Sequence, residues 1–346
     1  MKLLGIESSC DETAAAVVED GRQILSNVVH SQIDLHAAYG GVIPEVAARS
    51  HLEVVLPVIH QALKDAHCDF SDLDGIAVTH TPGLVGSLLI GTLTARTLAL
   101  LYHLPLYPTH HLKSHIFANW LSHNEPALPL LALVISGGHT QIIYLPDFQH
   151  FKIIGTTRDD AIGEVFDKAA KILGLPYPGG PAISKLATQA DAHRYHLPIP
   201  QVPELDFSFS GLKTAFLRAV QKELNLPIST PSYQLAAKLS PTQIADFAAS
   251  FEFTATDILL RKLKRALSLY PDVKSLVFAG GVSANTRLRE MAQQTFASVC
   301  PVYFPAPSLS TDNGAMVASA AYFAIKAGEK PSDPLKLDIS PRCPIY

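Results

Sequence analysis

The sequence predicts an α/β protein built from two related halves, and three observations carry that expectation. Apolar, strand-like runs alternate with longer segments of helical period, which is the pattern of an α/β fold. Two stretches repeat one plan: "KLLGIESSCDETAAAVVED" and, roughly 130 residues later, "PLLALVISGGHTQIIYLPD" both read as strand, polar turn and strand. The chain of 346 residues is also too long for one ordinary core and suits two domains of about 100–200 residues each.

Taken in order, the first hairpin closes at the Asp20–Gly21 turn signal. "VIPEVAARSHLEVVLPVIHQALKDA" is helical, because Val46, His51, Val54, Val55, Val58, Ile59 and Leu63 fall mostly on one face. "LDGIAVTHTPG" is a buried strand ended by Pro-Gly, and "SLLIGTLTARTLALLYH" is an apolar helix. After the second hairpin, "DDAIGEVFDKAAKILGLPYPGGP" is a helix closed by Gly174, with a glycine-rich loop beyond it. "TQIADFAASFEFTATDILLRKLKRALSLY" reads as one or two long helices. "KSLVFAGGVSANTRLREMAQQT" is a strand, a glycine turn and a helix capped by Ser283 or Asn285.

Composition narrows the function. With 48% hydrophobic and 17% charged residues the chain is compact and globular. A net charge of −4 argues against an unaided grip on a long nucleic acid, which usually needs a basic excess. Any such role requires a local patch or a partner. The apolar run after "MK" is too short for a signal peptide. Arg96 and His103 interrupt the most apolar region, Leu84 to Tyr107, so no membrane span is expected. Cys10, Cys68, Cys300 and Cys343 lack CxxC spacing and read as reduced thiols. The expected location is the cytoplasm.

Several short stretches can carry chemistry. In "THHLKSHIFANW", His111 and His115 are four apart and share a helix face, where they can hold one ion. A helix with hydrogen-bonded histidines has the same spacing. The zinc-protease motif requires Glu after its first His, and Leu112 stands there. The turn "SGGHT" (Ser136 to Thr140) offers backbone N–H groups to a phosphate, although a plain hairpin tip uses the same residues. "AGGVSAN" (Ala279 to Asn285) puts a second glycine turn at a helix N-terminus, as an anion site or a tight βα connection. "YPGGP" (Tyr177 to Pro181) is a third small-residue loop. Asp11 and Glu12 lie in the first hairpin turn, and Asp167 lies in "EVFDK". Asp312 in "STDNGAM" is either the N-cap of the next helix or a third ligand beside two histidines. "RKLKR" (Arg261 to Arg265) reads as a solvated face, and residue types assign no chemistry to "DFSFSGLKT" (Asp206 to Thr214).

In combination, "LGIESSCDETAAAVV", "HAAYGGVIPEVAAR", "TPGLVGSLLIG", "HHLKSH", "SGGHTQ", "DDAIGEVFDKAAKILGLPYPGGP", "DFSFSGLKT", "AGGVSAN" and "STDNGAM" resemble the bacterial tRNA N6-adenosine threonylcarbamoyltransferase family. The resemblance covers essentially the whole chain, in order. It implies the duplicated actin-like ATPase (ASKHA) fold, two domains around a central cleft. Residues 1–108 would form the first domain, joined by the helix near 312–330, and 109–346 the second, with the metal and nucleotide site. His111, His115 and Asp312 would hold one divalent metal, iron(II) or zinc. Val134, Ile135, Ser136, Gly137, Gly138, Asp167, Gly180 and Asn285 would bind threonylcarbamoyl-AMP.

The implied reaction moves the threonylcarbamoyl group to the exocyclic amine of the adenosine 3′ of the anticodon, in tRNAs reading codons that begin with A. The implied partners are tRNA, a smaller actin-like paralogue, a P-loop ATPase and a separate synthase, with no membrane. Asp11, in the first turn, is our candidate to accept the amine's proton. Ser184 stands where some relatives carry Asp, and "TPG" at Thr81 to Gly83 replaces the more usual "GPG". A metal-dependent endopeptidase and a non-catalytic actin-like ATPase are the competing readings.

Overall fold

A computed structural model describes residues 1–37, 39–122, 125–200 and 202–345. They fall into two compact units, one of Met1–Ala127, Leu145–Lys152 and Pro305–Tyr346, the other of Leu128–Tyr144 and Ile153–Phe304.

In the first unit, β1 (Lys2–Glu7) is buried at every position after Lys2, as a strand covered on both faces must be. Asp20 and Gly21, at φ 50° and 65°, turn β2 (Glu12–Glu19) into β3 (Gln23–Ser31). Then follow α1 (Ile33–Ala37), α2 (Pro44–Asp65), β4 (Gly75–Thr81), α3 (Val85–Tyr102), β5 (Leu106–His110) and α4 (His111–Phe117). The sheet order is β3-β2-β1-β4-β5, with β4 and β5 parallel to β1 and the first hairpin strands antiparallel.

The second unit contains β6 (Leu130–Ile135), β7 (Thr140–Leu145), β8 (Lys152–Thr156), α5 (Ile162–Ile172), α6 (Gly179–Ala187), α7 (Ser210–Glu223), α8 (Pro241–Leu269), β9 (Ser275–Ala279), α9 (Thr286–Phe296) and β10 (Val302–Tyr303). Its sheet order is β10-β9-β6-β7-β8. Counted from β6 this repeats the first sheet's order strand for strand, so the duplicated hairpins head duplicated sheets. Phe207, Phe209, Phe216, Phe247, Phe251, Phe278 and Phe296 fill its core. The chain then returns to the first unit with α10 (Pro307–Ser310) and α11 (Gly314–Lys326).

Alternation along β1 sends Leu4 and Ile6 into the core beneath α2 and α3, while Leu3 joins Ala315, Met316 and Ala318 of α11 on the other face. The backbones of β1 and α11 approach closely: a Cβ on Gly5 would lie 2.2 Å from the Gly314 carbonyl oxygen. Since α4 continues from β5 and packs on α11, residues 109–127 belong to the first unit. The division therefore falls after Ala127, not after residue 108, and His111, His115 and Asp312 all lie in the first unit.

Three local segments resolve. "YPGGP" is the N-terminus of α6, "DFSFSGLKT" runs into α7, and α8 is a single helix of 29 residues with a Ser240–Gln243 capping box. By length and composition alone, α3 could cross a bilayer. One side of it, including Leu88, Ala95, Leu98 and Ala99, is nonetheless buried in protein.

Candidate functional site

Of the three clustered histidines, the first is occupied by backbone. His110 caps α4, accepting from the Leu112 N–H at Nδ1 (3.2 Å) and donating from Nε2 to the Cys343 carbonyl (3.0 Å). His111 and His115, one helical turn apart, bring their rings to 4.6 Å between centroids at 78°. Asp312 arrives on the turn before α11. The cap of that helix is Asn313, whose Oδ1 accepts from the Met316 N–H (2.9 Å), so Asp312 is not needed there. Asp312 Oδ1 lies 3.0 Å from His115 Nε2 and 3.6 Å from His111 Nε2.

Ligand atoms of the three residues all lie within 4.8 Å of one another. His115 is buried, yet neither ring nitrogen makes a hydrogen bond, even with Asp312 so near. Two imidazoles and a carboxylate, with a buried nitrogen left open, fit a divalent transition metal that keeps free coordination positions.

Acids crowd this group. Glu7 is fully buried; its Oε1 accepts from the Ser9 N–H (2.6 Å), and its Oε2 accepts from the Thr79 hydroxyl (2.6 Å) and lies 3.2 Å from His111 Nδ1. Burial alone would push its carboxyl up, but His111 and the Thr79 bond hold it below the usual range. For His111 burial opposes the charge, yet Asp312 and Glu7 outweigh it and raise the imidazole to about 9. Glu12 is driven the other way: burial first, then the charges of Asp312 and Asp11, push it up to about 10. The Cys10 thiol is likewise raised by burial and then by Asp11 and Asp312. The turn between β1 and β2, which carries Cys10 and Asp11 and leads into Glu12, thus lies within electrostatic reach of Asp312. Sequence reasoning assigned Glu7 no role; its one signal is an acid closing an otherwise apolar strand.

The other candidate residues lie in the second unit. Val134 and Ile135 are buried at the end of β6. In the following turn the Ser136 N–H donates to the His139 carbonyl (2.9 Å), and the His139 N–H to the Ser136 hydroxyl (3.2 Å). A Cβ on Gly137, Gly138 or Gly180 would meet nothing, leaving open space beside those amides. Gly280, at φ 86°, brings the second glycine turn against the first: a Cβ there would lie 2.5 Å from the Ile135 carbonyl oxygen. α5 links the rest, with Gly163 close against Ser136 and Asp167 accepting from the Gly179 N–H (2.7 Å) at the start of α6. Burial pushes Asp167 up.

Asn285 caps α9 through Oδ1, and its amide hydrogens go to the Ser184 hydroxyl (2.8 Å) and to Oε1 of buried Glu252 (2.6 Å). Glu252 also accepts from Ser184 (2.6 Å) and from Arg287 (2.9 Å). Ser184 therefore rests on a carboxylate, and an Asp in its place would meet like charge.

Two motifs resolve into scaffolding. Asp159 accepts from Ser208, Phe209 and Ser210, tying "DFSFSGLKT" to the loop before α5. "RKLKR" is not wholly a solvated face: Arg261 pairs with Asp257 (2.7 Å), and Lys262 Nζ donates to the carbonyls of Val202 (2.7 Å) and Glu204 (2.9 Å).

Two copies of one five-stranded plan and a His–His–Asp group define a duplicated actin-like α/β fold with a candidate metal centre. Among solved structures, HypF from T. kodakarensis superposes with a TM-score of 0.61 at 14% identity, covering 94% of this chain and 48% of that one. The (R)-2-hydroxyglutaryl-CoA dehydratase component A of Acidaminococcus fermentans gives 0.52 at 15% identity, covering 95% and 100%. At such identity both speak for the fold alone.

The sequence matches the family described as TsaD, tRNA N6-adenosine threonylcarbamoyltransferase, over residues 23–319. Proteins of that description from Thermomicrobium roseum and Syntrophus aciditrophicus are 45% and 46% identical, each covering 100% of this chain and 97% and 98% of their own lengths. The chain belongs to the tRNA N6-adenosine threonylcarbamoyltransferase family, and it is a transferase.

Proposed function

We propose that this chain transfers the threonylcarbamoyl group of threonylcarbamoyl-AMP to the exocyclic amine of the adenosine 3′ of the anticodon, in tRNAs reading codons that begin with A, and releases AMP. Family membership supports the reaction class. The observation that carries the reading is the convergence of buried His111 and His115 with Asp312, their ligand atoms within 4.8 Å of one another.

An adenine amine is a weak nucleophile, because its lone pair is delocalised into the ring. The acyl group must therefore be activated and the developing oxyanion stabilised. A divalent ion at the three residues, iron(II) or zinc, would supply Lewis acidity toward the carbamoyl oxygen. The amides of Gly137 and Gly138, the Ser136 hydroxyl beside them and the N-terminus of α6 at Gly180 hold the departing phosphate. Asp167 and the second glycine turn at Asn285 complete the nucleotide site, with Val134 and Ile135 as its apolar floor. Asp11 accepts the amine's proton. An anticodon-loop base reaches such a site more easily than a duplex base, because less stacking is lost.

The charge of −4 fits a tRNA surface shared with other subunits in the cytoplasm: a smaller actin-like paralogue and a P-loop ATPase. Exposed Leu52 and Leu56 on α2 with Val85, Leu89 and Leu93 on α3 support docking of the paralogue there.

A single-turnover assay tests the reading, using synthetic threonylcarbamoyl-AMP, unmodified tRNA and bound-metal analysis, with and without the partners. The double variant His111→Ala/His115→Ala is expected to lose both its metal and the modified adenosine. Equal product without the histidines would move catalysis to the acidic residues.

A further inference from the structure

We infer that Glu7 fixes the tautomer of His111, keeping the proton on Nδ1 so that Nε2 presents a bare lone pair toward Asp312 and His115. The inference rests on the reading of His111 as a metal ligand, and it makes Glu7 a positioning residue.

The argument is one of donors and acceptors. His111 Nδ1 has two neighbours, Ser9 Oγ at 3.1 Å and Glu7 Oε2 at 3.2 Å. The Ser9 hydroxyl can donate or accept, so it is indifferent to the tautomer. An ionised carboxylate can only accept. With the proton on Nε2, the Nδ1 lone pair would face a Glu7 lone pair in a fully buried site, and only the Ser9 hydroxyl could donate to it. With the proton on Nδ1 the contact becomes a charge-assisted hydrogen bond.

Glu7 is itself held in place. The Ser9 backbone N–H at 2.6 Å fixes Oε1, and the Thr79 hydroxyl at 2.6 Å fixes Oε2. Pairing of β1 with β4 sets Ile6 beside Val78, which brings Glu7 and Thr79 side by side at the strand ends. The sheet register thus aims the carboxylate, and the carboxylate aims the imidazole. A carboxylate behind a ligating histidine acts in this way on metal affinity.

Glu7→Gln inverts the arrangement at nearly constant shape. The Ser9 N–H is a backbone donor that cannot rotate, so the amide oxygen must stay at the Oε1 position. The amide NH2 then takes the place of Oε2. Thr79 can rotate to accept from it, but His111 Nδ1 must also accept, which sends the imidazole proton to Nε2. Glu7→Asp, by contrast, fits less well but keeps a group that only accepts.

Zinc affinity of the metal-free full-length protein, measured by competition with a chelating dye, tests the inference. Glu7→Gln is expected to lose at least about tenfold in zinc affinity while keeping the circular dichroism spectrum of the folded wild type. Glu7→Asp is expected to bind more tightly than Glu7→Gln, whereas a mere packing role would favour the isosteric Gln. Equal affinity of wild type and Glu7→Gln, or Gln ranking above Asp, overturns the inference.

Should Glu7→Gln fail to fold, spectra of 15N-histidine-labelled wild type decide, with His111 assigned by difference from His111→Ala. A proton on Nδ1 supports the inference and one on Nε2 overturns it. Wild type that takes up no zinc would instead refute the metal reading itself, and the same spectra of the metal-free protein at alkaline pH would still judge Glu7.

Discussion

Burial and the charges of Asp312 and Asp11 keep a proton on Glu12 until about pH 10. An unfolded chain releases that proton near 4.5, so between those values the native state holds more protons than the unfolded one. Stability contributed by this group is complete below the unfolded value and falls as pH rises. His111 acts in the same direction, since its folded value of about 9 lies above the ordinary 6.5. Metal-free protein is therefore expected to melt at progressively lower temperature from about pH 5 to 10. Glu12→Gln should melt higher than wild type in the upper part of that range, with a shallower slope. Parallel slopes in the two proteins would mean that Glu12 is ionised in the fold.

At the scale of elements, the contact between β1 and α11 determines where Asp312 sits. A Cβ on Gly5 would meet the Gly314 carbonyl oxygen at 2.2 Å and the Ala318 nitrogen at 2.7 Å, both backbone atoms that cannot turn aside. Gly5→Ala is expected to destabilise by roughly 1–3 kcal/mol in denaturant unfolding, as overpacking does. Because Asp312 leads directly into α11, the same variant should take up zinc more weakly. Unchanged stability together with unchanged zinc uptake would refute the coupling.

Most elements could be read from the chain because their signals are local. Short apolar runs on either side of a polar turn marked β1 and β2, the helical period marked α2, and Gly174 marked the end of α5. The pairing of His111 with His115 also needs only the four-residue spacing. What stayed hidden depends on partners far away in sequence. Glu7 and His111 are 104 residues apart, and neither position alone announces the other. "DFSFSGLKT" looked inert because its partner, Asp159, is about 50 residues upstream. Lys262 looked solvated because the carbonyls it binds, at Val202 and Glu204, lie about 60 residues before it. Asp312 was ambiguous for a subtler reason: either it or Asn313 could cap α11, and only the fold assigns the cap to Asn313.

At the scale of the whole molecule, the repeated sheet order is carried by two units of unlike continuity. The second is nearly one unbroken stretch, Leu128–Tyr144 and Ile153–Phe304. The first is interrupted: its sheet is complete by His110, but α11 and Asp312 come only after Pro305. On the ribosome, therefore, one face of the finished sheet stays uncovered while roughly 200 further residues are made, on the order of 10–40 s at typical elongation rates. Nascent chains stalled just after Phe304 has cleared the exit tunnel should protect the second unit from protease and leave the first open to cleavage. Equal protection of both would show that the early sheet stands without its late helix. His111 and His115 therefore wait for Asp312 until the whole second unit has been made, and a growing chain lacks the complete candidate metal group until then.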